Sequence, residues 1–84
     1  MWYRYASAEA AFNIMADQLL ENKISKEYWL VNHTYPSIQE LSMYKKRAYN
    51  YVKNHHGSLW DMRNDEMERN ISKIIDEIPI KIIY

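Results

Sequence analysis

The residues best suited to binding a metal are His33, His55 and His56, three imidazoles in a chain with no cysteine. His55 and His56 are adjacent, so on a helix they point about 100° apart, whereas two ligands from one helix stand three or four residues apart. They suit a helix C-terminus, where a partly charged imidazole meets the negative end of the dipole, and no metal site is expected. Lack of cysteine also removes disulfides, thiolate zinc sites, iron–sulfur ligation and a cysteine nucleophile. Acids gather in Asp61, Asp65, Glu66 and Glu68, with Asp76 and Glu77 further on. Such a run reads as the solvated face of a helix, with Arg69 placed for surface pairs to Asp65 and Glu66. None of Ser7, Ser25, Ser37, Ser42, Ser58 or Ser72 lies in a nucleophile-elbow motif. Gly57 is the sole glycine, so neither a dinucleotide fingerprint nor a P-loop can be built; it stands where a helix would stop in the left-handed conformation. The chain is therefore expected not to be an enzyme and to use no cofactor.

Two patterns point to binding instead. Eleven basic and eleven acidic residues cancel overall, yet residues 43–57 hold Lys45, Lys46, Arg47 and Lys53 with no acid. On a helix Lys46, Arg47, Asn50 and Lys53 share the side opposite the apolar stripe, a face that could meet phosphates. The second pattern is an aromatic surplus of the amphipathic kind, eight Tyr and three Trp against one Phe, types that suit surfaces partly dry and partly wet.

These side chains must be positioned by one small domain spanning residues 1–84, since 84 residues hold a single core. Trp2 to Ala6 alternates with period two and reads as a strand. Ser7 can cap a helix whose stripe is Ala8, Ala11, Phe12, Met15 and Leu19, running to about Glu21. From Lys26 to Tyr35 the alternation of Tyr28, Leu30 and Asn32 with Trp29, Val31 and His33 predicts a second strand, ended before Pro36. Ser37-Ile38-Gln39-Glu40 has the form of a capping box. It opens a helix to about His55 with Ile38, Leu41, Tyr44, Lys45, Ala48, Tyr51, Val52 and His55 on one side. Ser58 can cap a third helix striped by Trp60, Asn64, Met67, Ile71, Ile74, Ile75 and Ile78, stopped by Pro79, and Ile80–Tyr84 reads as a last strand. The expected class is α+β: about three short strands with three helices packed on one face, in the order strand, helix, strand, helix, helix, strand.

In such a sheet the face away from the helices should be polar, yet both faces carry bulk. The expectation that follows is a protein-binding module with Trp2, Tyr3, Tyr5 and Trp29 as anchors and Arg4 and Lys81 as charged rim, meeting a protein partner or a second copy. Size and a composition rich in Ile, Lys, Asn and Tyr suggest a phage-type accessory protein or inhibitor. The alternative is a nucleic-acid-binding regulator working through Lys46, Arg47, Asn50 and Lys53. Met1-Trp2-Tyr3-Arg4-Tyr5 lacks the apolar core of a signal peptide, and no apolar run approaches the roughly 18 residues of a membrane span. A cytoplasmic location away from membranes is expected.

Overall fold

A computed structural model describes residues 7–57, 61 and 63–82. Its three helices are α1 (Ala8–Asn32), α2 (Ile38–His55) and α3 (Asn64–Glu77), and among the described residues there is no strand. The α+β expectation is thus overturned.

The decisive departure is in α1, which begins as expected. Ser7 Oγ accepts from Ala10 N at 3.1 Å, and Glu9 stands in the first turn, where the helix dipole favours a carboxylate. The helix then continues through the whole segment read as a second strand. Tyr28, Trp29, Leu30 and Val31 have side chains common in strands, but tertiary packing overrides that preference. Phe12, Ala16, Leu20 and Ile24 recur every four residues and are buried. Tyr28 is the next member of that row, and its ring meets Tyr44 edge-on at 6.4 Å. No Gly or Pro interrupts residues 8–35. The helix ends at His33, whose left-handed backbone (φ 59°) lets its N–H reach Trp29 O.

In α2 the capping box is formed in both directions: Glu40 N donates to Ser37 Oγ, and Ser37 N donates to Glu40 Oε1, each at 3.1 Å. The helix runs from Ile38 to His55. Gly57 is not its left-handed stop: His56 caps the helix at φ −131°, and no described glycine has positive φ. α3 starts at Asn64 behind Arg63, which makes no side-chain cap bond; the proposed cap Ser58 and stripe residue Trp60 lie outside the described residues, as does the first strand over Trp2–Ala6. Ile80–Ile82 follow α3 without strand pairing: the partly buried Ile80 and Ile82 pack against the helical core rather than beside another extended segment.

Contacts fix the topology. Lys45 Nζ pairs with Asp17 at 2.8 Å and Glu21 at 3.4 Å, Tyr49 OH donates to Glu9, and Tyr28 OH donates to Glu40, so α1 and α2 form an antiparallel hairpin. Lys23 Nζ donates to Ile75 O and Asp76 O at 2.8 and 2.9 Å, a cation on the negative end of α3. α3 therefore finishes beside Lys23, Lys26 and Glu27 of α1. The core lies among the three helices: among the described residues Phe12, Ile24, Met67, Ile78 and Val52 are the largest fully buried side chains, and Ala11, Ala16 and Ala48 are buried with them.

Candidate interaction surface

α3 ends alongside Lys23, Lys26 and Glu27, which share a groove with its Ser72, Ile75 and Asp76, so only the last five residues of α1, about 7.5 Å of helix at 1.5 Å per residue, and the start of α2 extend beyond it as a two-helix tip. Leu19 and Lys23 line a groove against Ser72, Ile75 and Asp76 of α3. Leu30 stands three turns beyond Leu19 on the same side of α1, where no part of α3 reaches, and is 62 % exposed. Trp29 is 44 %, Tyr35 71 % and Ile38 87 % exposed, and Val31 is exposed as well. Trp29 stacks on Tyr35 with ring centroids 5.4 Å apart and meets His33 edge-on at 6.0 Å, so the rings are held in place before anything binds.

The tip is also uncharged. From Tyr28 to Gln39 there is no Asp, Glu, Lys or Arg, twelve consecutive residues in a chain that is 26 % charged. Acids flank this run at both ends: Glu27 lies in the groove beside α3, and the Glu40 carboxylate accepts from Tyr28 OH at 2.7 Å and from Ser37 N.

The Tyr28 hydroxyl and the two bonds from Ser37 hold the Glu40 carboxyl below its ordinary value of 4.5. The same carboxylate, then partial burial, pushes the Tyr28 phenol above 10.0. A depressed acid contributes stability that is present above its unfolded pKa and lost as pH falls through the folded one; a raised phenol contributes stability present below its unfolded pKa and lost as pH rises through the folded one. In urea unfolding, the advantage of the native chain over Tyr28→Phe is expected to be constant between about pH 5 and 9 and to shrink on both sides. A difference independent of pH would show that the bond does not form.

Of the anchors named from the sequence, Trp2, Tyr3, Arg4 and Tyr5 lie outside the described residues. Trp29 is exposed, but on a helix and not on a sheet face. Leu30, Val31, Tyr35 and Ile38 were missed; the charge-free run was the signal that could have found them. Lys46, Arg47, Asn50 and Lys53 are all exposed on one face of α2, as the helical wheel required. Lys45, the fourth cation of that segment, is turned away to α1, where desolvation pushes its pKa down but the bonds and charges of Asp17 and Glu21 more than offset this and hold it above the ordinary value. Arg47 lies over the Tyr44 ring at 5.7 Å and, with Tyr51, Ile80 and Lys81, lines a cleft of about 180 Å³, small for a ligand site.

The remaining candidates are dispersed. His55 stacks on Tyr51 at 4.2 Å, His56 tilts against the same ring, and His33 is at the opposite end of the hairpin. Among the described residues no three metal-ligating side chains converge. Asp65 pairs with Arg69 and Arg63 at 3.8 and 3.6 Å on the exposed face of α3. Among the described residues, no helix is long and apolar enough to cross a membrane.

Comparison with known protein families, curated proteins and solved structures found no match to the chain. The phage and inhibitor attribution, drawn from size and composition, has no support from the fold or from these comparisons.

Proposed function

We propose that this chain is a non-enzymatic protein-binding module whose contact surface is the uncharged tip of the α1–α2 hairpin. One observation carries the reading: five large apolar side chains, Trp29, Leu30 and Val31 around the last turn of α1, Tyr35 stacked on Trp29, and Ile38 at the first position of α2, are exposed beyond the end of α3. Trp and Tyr are enriched among the side chains that dominate binding energy, and charged residues are depleted at interface centres. The rim is polar, supplied by Thr34, Ser37 and Gln39. The cytoplasmic setting expected from the sequence belongs to the same proposal.

Photo-crosslinking in cells tests it. A benzophenone amino acid in place of Ile38 is expected to give protein adducts, and the same group in place of the exposed Ser72 of α3 is expected to give few. Equal yields from the two positions, or none from the tip, would reject the tip as the contact surface. The basic face of α2 supports a second reading, contact with nucleic acid through Lys46, Arg47 and Lys53. That reading predicts oligonucleotide affinity falling with salt by about 0.9 log units per log unit for each phosphate contacted; binding of that kind with no protein adducts would replace the first reading.

A further inference from the structure

We infer that the occupant of the hairpin tip is a second copy of this chain, joined to the first about a twofold axis. This rests on the reading of the tip as a protein-binding surface and names what it binds. Three features of the molecule argue for self-association.

The first is electrostatic. A twofold axis brings each residue near the axis close to its own copy, so any charge there meets a like charge. Few surfaces of a chain this rich in charge could be paired with themselves without that repulsion. The stretch Tyr28–Gln39 has no Asp, Glu, Lys or Arg; of the two acids that flank it, Glu40 is held within its own chain by Tyr28 and Ser37, and Glu27 lies back in the groove beside α3.

The second is area. An aromatic side chain offers about 150–250 Å² and the aliphatic ones less. At the observed exposures the five side chains present roughly 500 Å² per copy. Two copies reach roughly 1,000 Å², where specific association begins, only when the contact wraps the end of the hairpin and covers Trp29, Leu30 and Val31 on successive sides of α1. Monomers also carry patches of this size, so area permits pairing and the missing charge favours it.

The third is the shape of the vacancy. Leu30 continues the side of α1 that α3 covers further down, so the tip is a helical hairpin lacking its third helix. A second hairpin tip laid against that side would complete a four-helix cluster, the arrangement in which two-helix units bury their apolar sides.

Sedimentation velocity on the purified full chain, from about 1 µM to about 1 mM, spans the affinities of interfaces this small. The expected result is a species that passes from the 10.2 kDa monomer to twice that mass as concentration rises. Ile38→Glu and Leu30→Lys should each weaken pairing tenfold or more with an unchanged helical circular dichroism spectrum. Both positions are solvent-exposed in the single chain, and each new charge lies at the end of a helix where the dipole favours it. A monomer throughout, or pairing of undiminished strength in both variants, would overturn the inference. A monomer that still gives adducts to other proteins from position 38 would overturn the second copy as occupant and leave the binding reading standing. A monomer giving no adducts would overturn both.

Discussion

Phe12→Ala is expected to leave about half of the molecules unfolded at 25 °C. Phe12 is 1 % exposed and lies where α1 faces α2, its ring tilted 49° against Tyr49 at 6.4 Å. Truncating a buried Phe costs about 3–5 kcal/mol, the transfer free energy of the ring plus the cavity left behind. A domain of this size, with no disulfide, holds about 3–5 kcal/mol in all. The loss and the total are equal in size, so the native population should fall from nearly complete to about half, seen as lost helical circular dichroism in the absence of denaturant. Ile14→Ala is the control. Ile14 lies two residues along the same helix but is 60 % exposed, so its truncation should change stability by no more than about 0.5 kcal/mol. Reversal of the two effects would mean that the buried side of α1 is misplaced, and with it the assignment of Leu30 to the side that α3 leaves uncovered. If the second copy occupies the tip, high protein concentration should partly restore the fold of Phe12→Ala, because pairing adds stability by mass action.

What the sequence disclosed divides by how far apart the deciding residues are. The start of α2 was legible because Ser37 and Glu40 satisfy each other within four residues and need nothing else. The core stripe of α3 was legible in Met67, Ile71, Ile74, Ile75 and Ile78, all buried, because its apolar spacing fits only the helical period. The basic side of α2 followed as the complement of Tyr44, Ala48 and Val52.

The second half of α1 was not legible. Tyr28-Trp29-Leu30-Val31 is a continuous apolar run, and such a run fits a strand or a helix equally well. The choice is made by Tyr28 meeting Glu40 and Tyr44, residues twelve and sixteen positions further along the chain. From that misreading, joined to the strand read into Ile80–Tyr84, came the expected sheet, its two-sided bulk and the wrong geometry for Trp29. The excess of aromatic and aliphatic side chains at the surface was real, but it sits at the end of a hairpin. Ile38 shows why periodicity missed it: it lies on the apolar stripe of α2, yet at the first helical position, where the neighbouring helix has already turned away. A wheel shows which side of a helix is apolar; it does not show how far along the helix the neighbours extend.

Lys26→Pro separates the two accounts of this segment. Lys26 is exposed and lies in the interior of α1. Proline there removes the hydrogen bond donated to the carbonyl four residues back and drives its ring into that carbonyl, costing about 3 kcal/mol or more. Had Lys26 opened a strand, as the alternation suggested, the same proline would be tolerated, because the first residue of a strand is one of the few places in a sheet where the missing donor does no harm. The expected outcome is therefore a large fall in the urea midpoint, while Lys26→Ala, which keeps the donor and is the best helix former, stays within about 0.5 kcal/mol of the native chain. A proline variant as stable as the native chain would restore the strand. The substitution also bears on the surface. Lys26 lies in the groove beside the end of α3, three residues before Trp29, the first of the exposed tip residues, so a kink at this point would re-aim the tip relative to the three-helix body. The Tyr28–Glu40 and Tyr28–Tyr44 contacts that tie the tip to α2 would be strained, and pairing between copies should be lost even in the fraction of molecules that still fold. Ile38→Glu acts only on the tip and should remove pairing without lowering the urea midpoint of the single chain; the proline should remove both. The contrast between the two variants tests whether the straight upper half of α1 is what presents the binding surface.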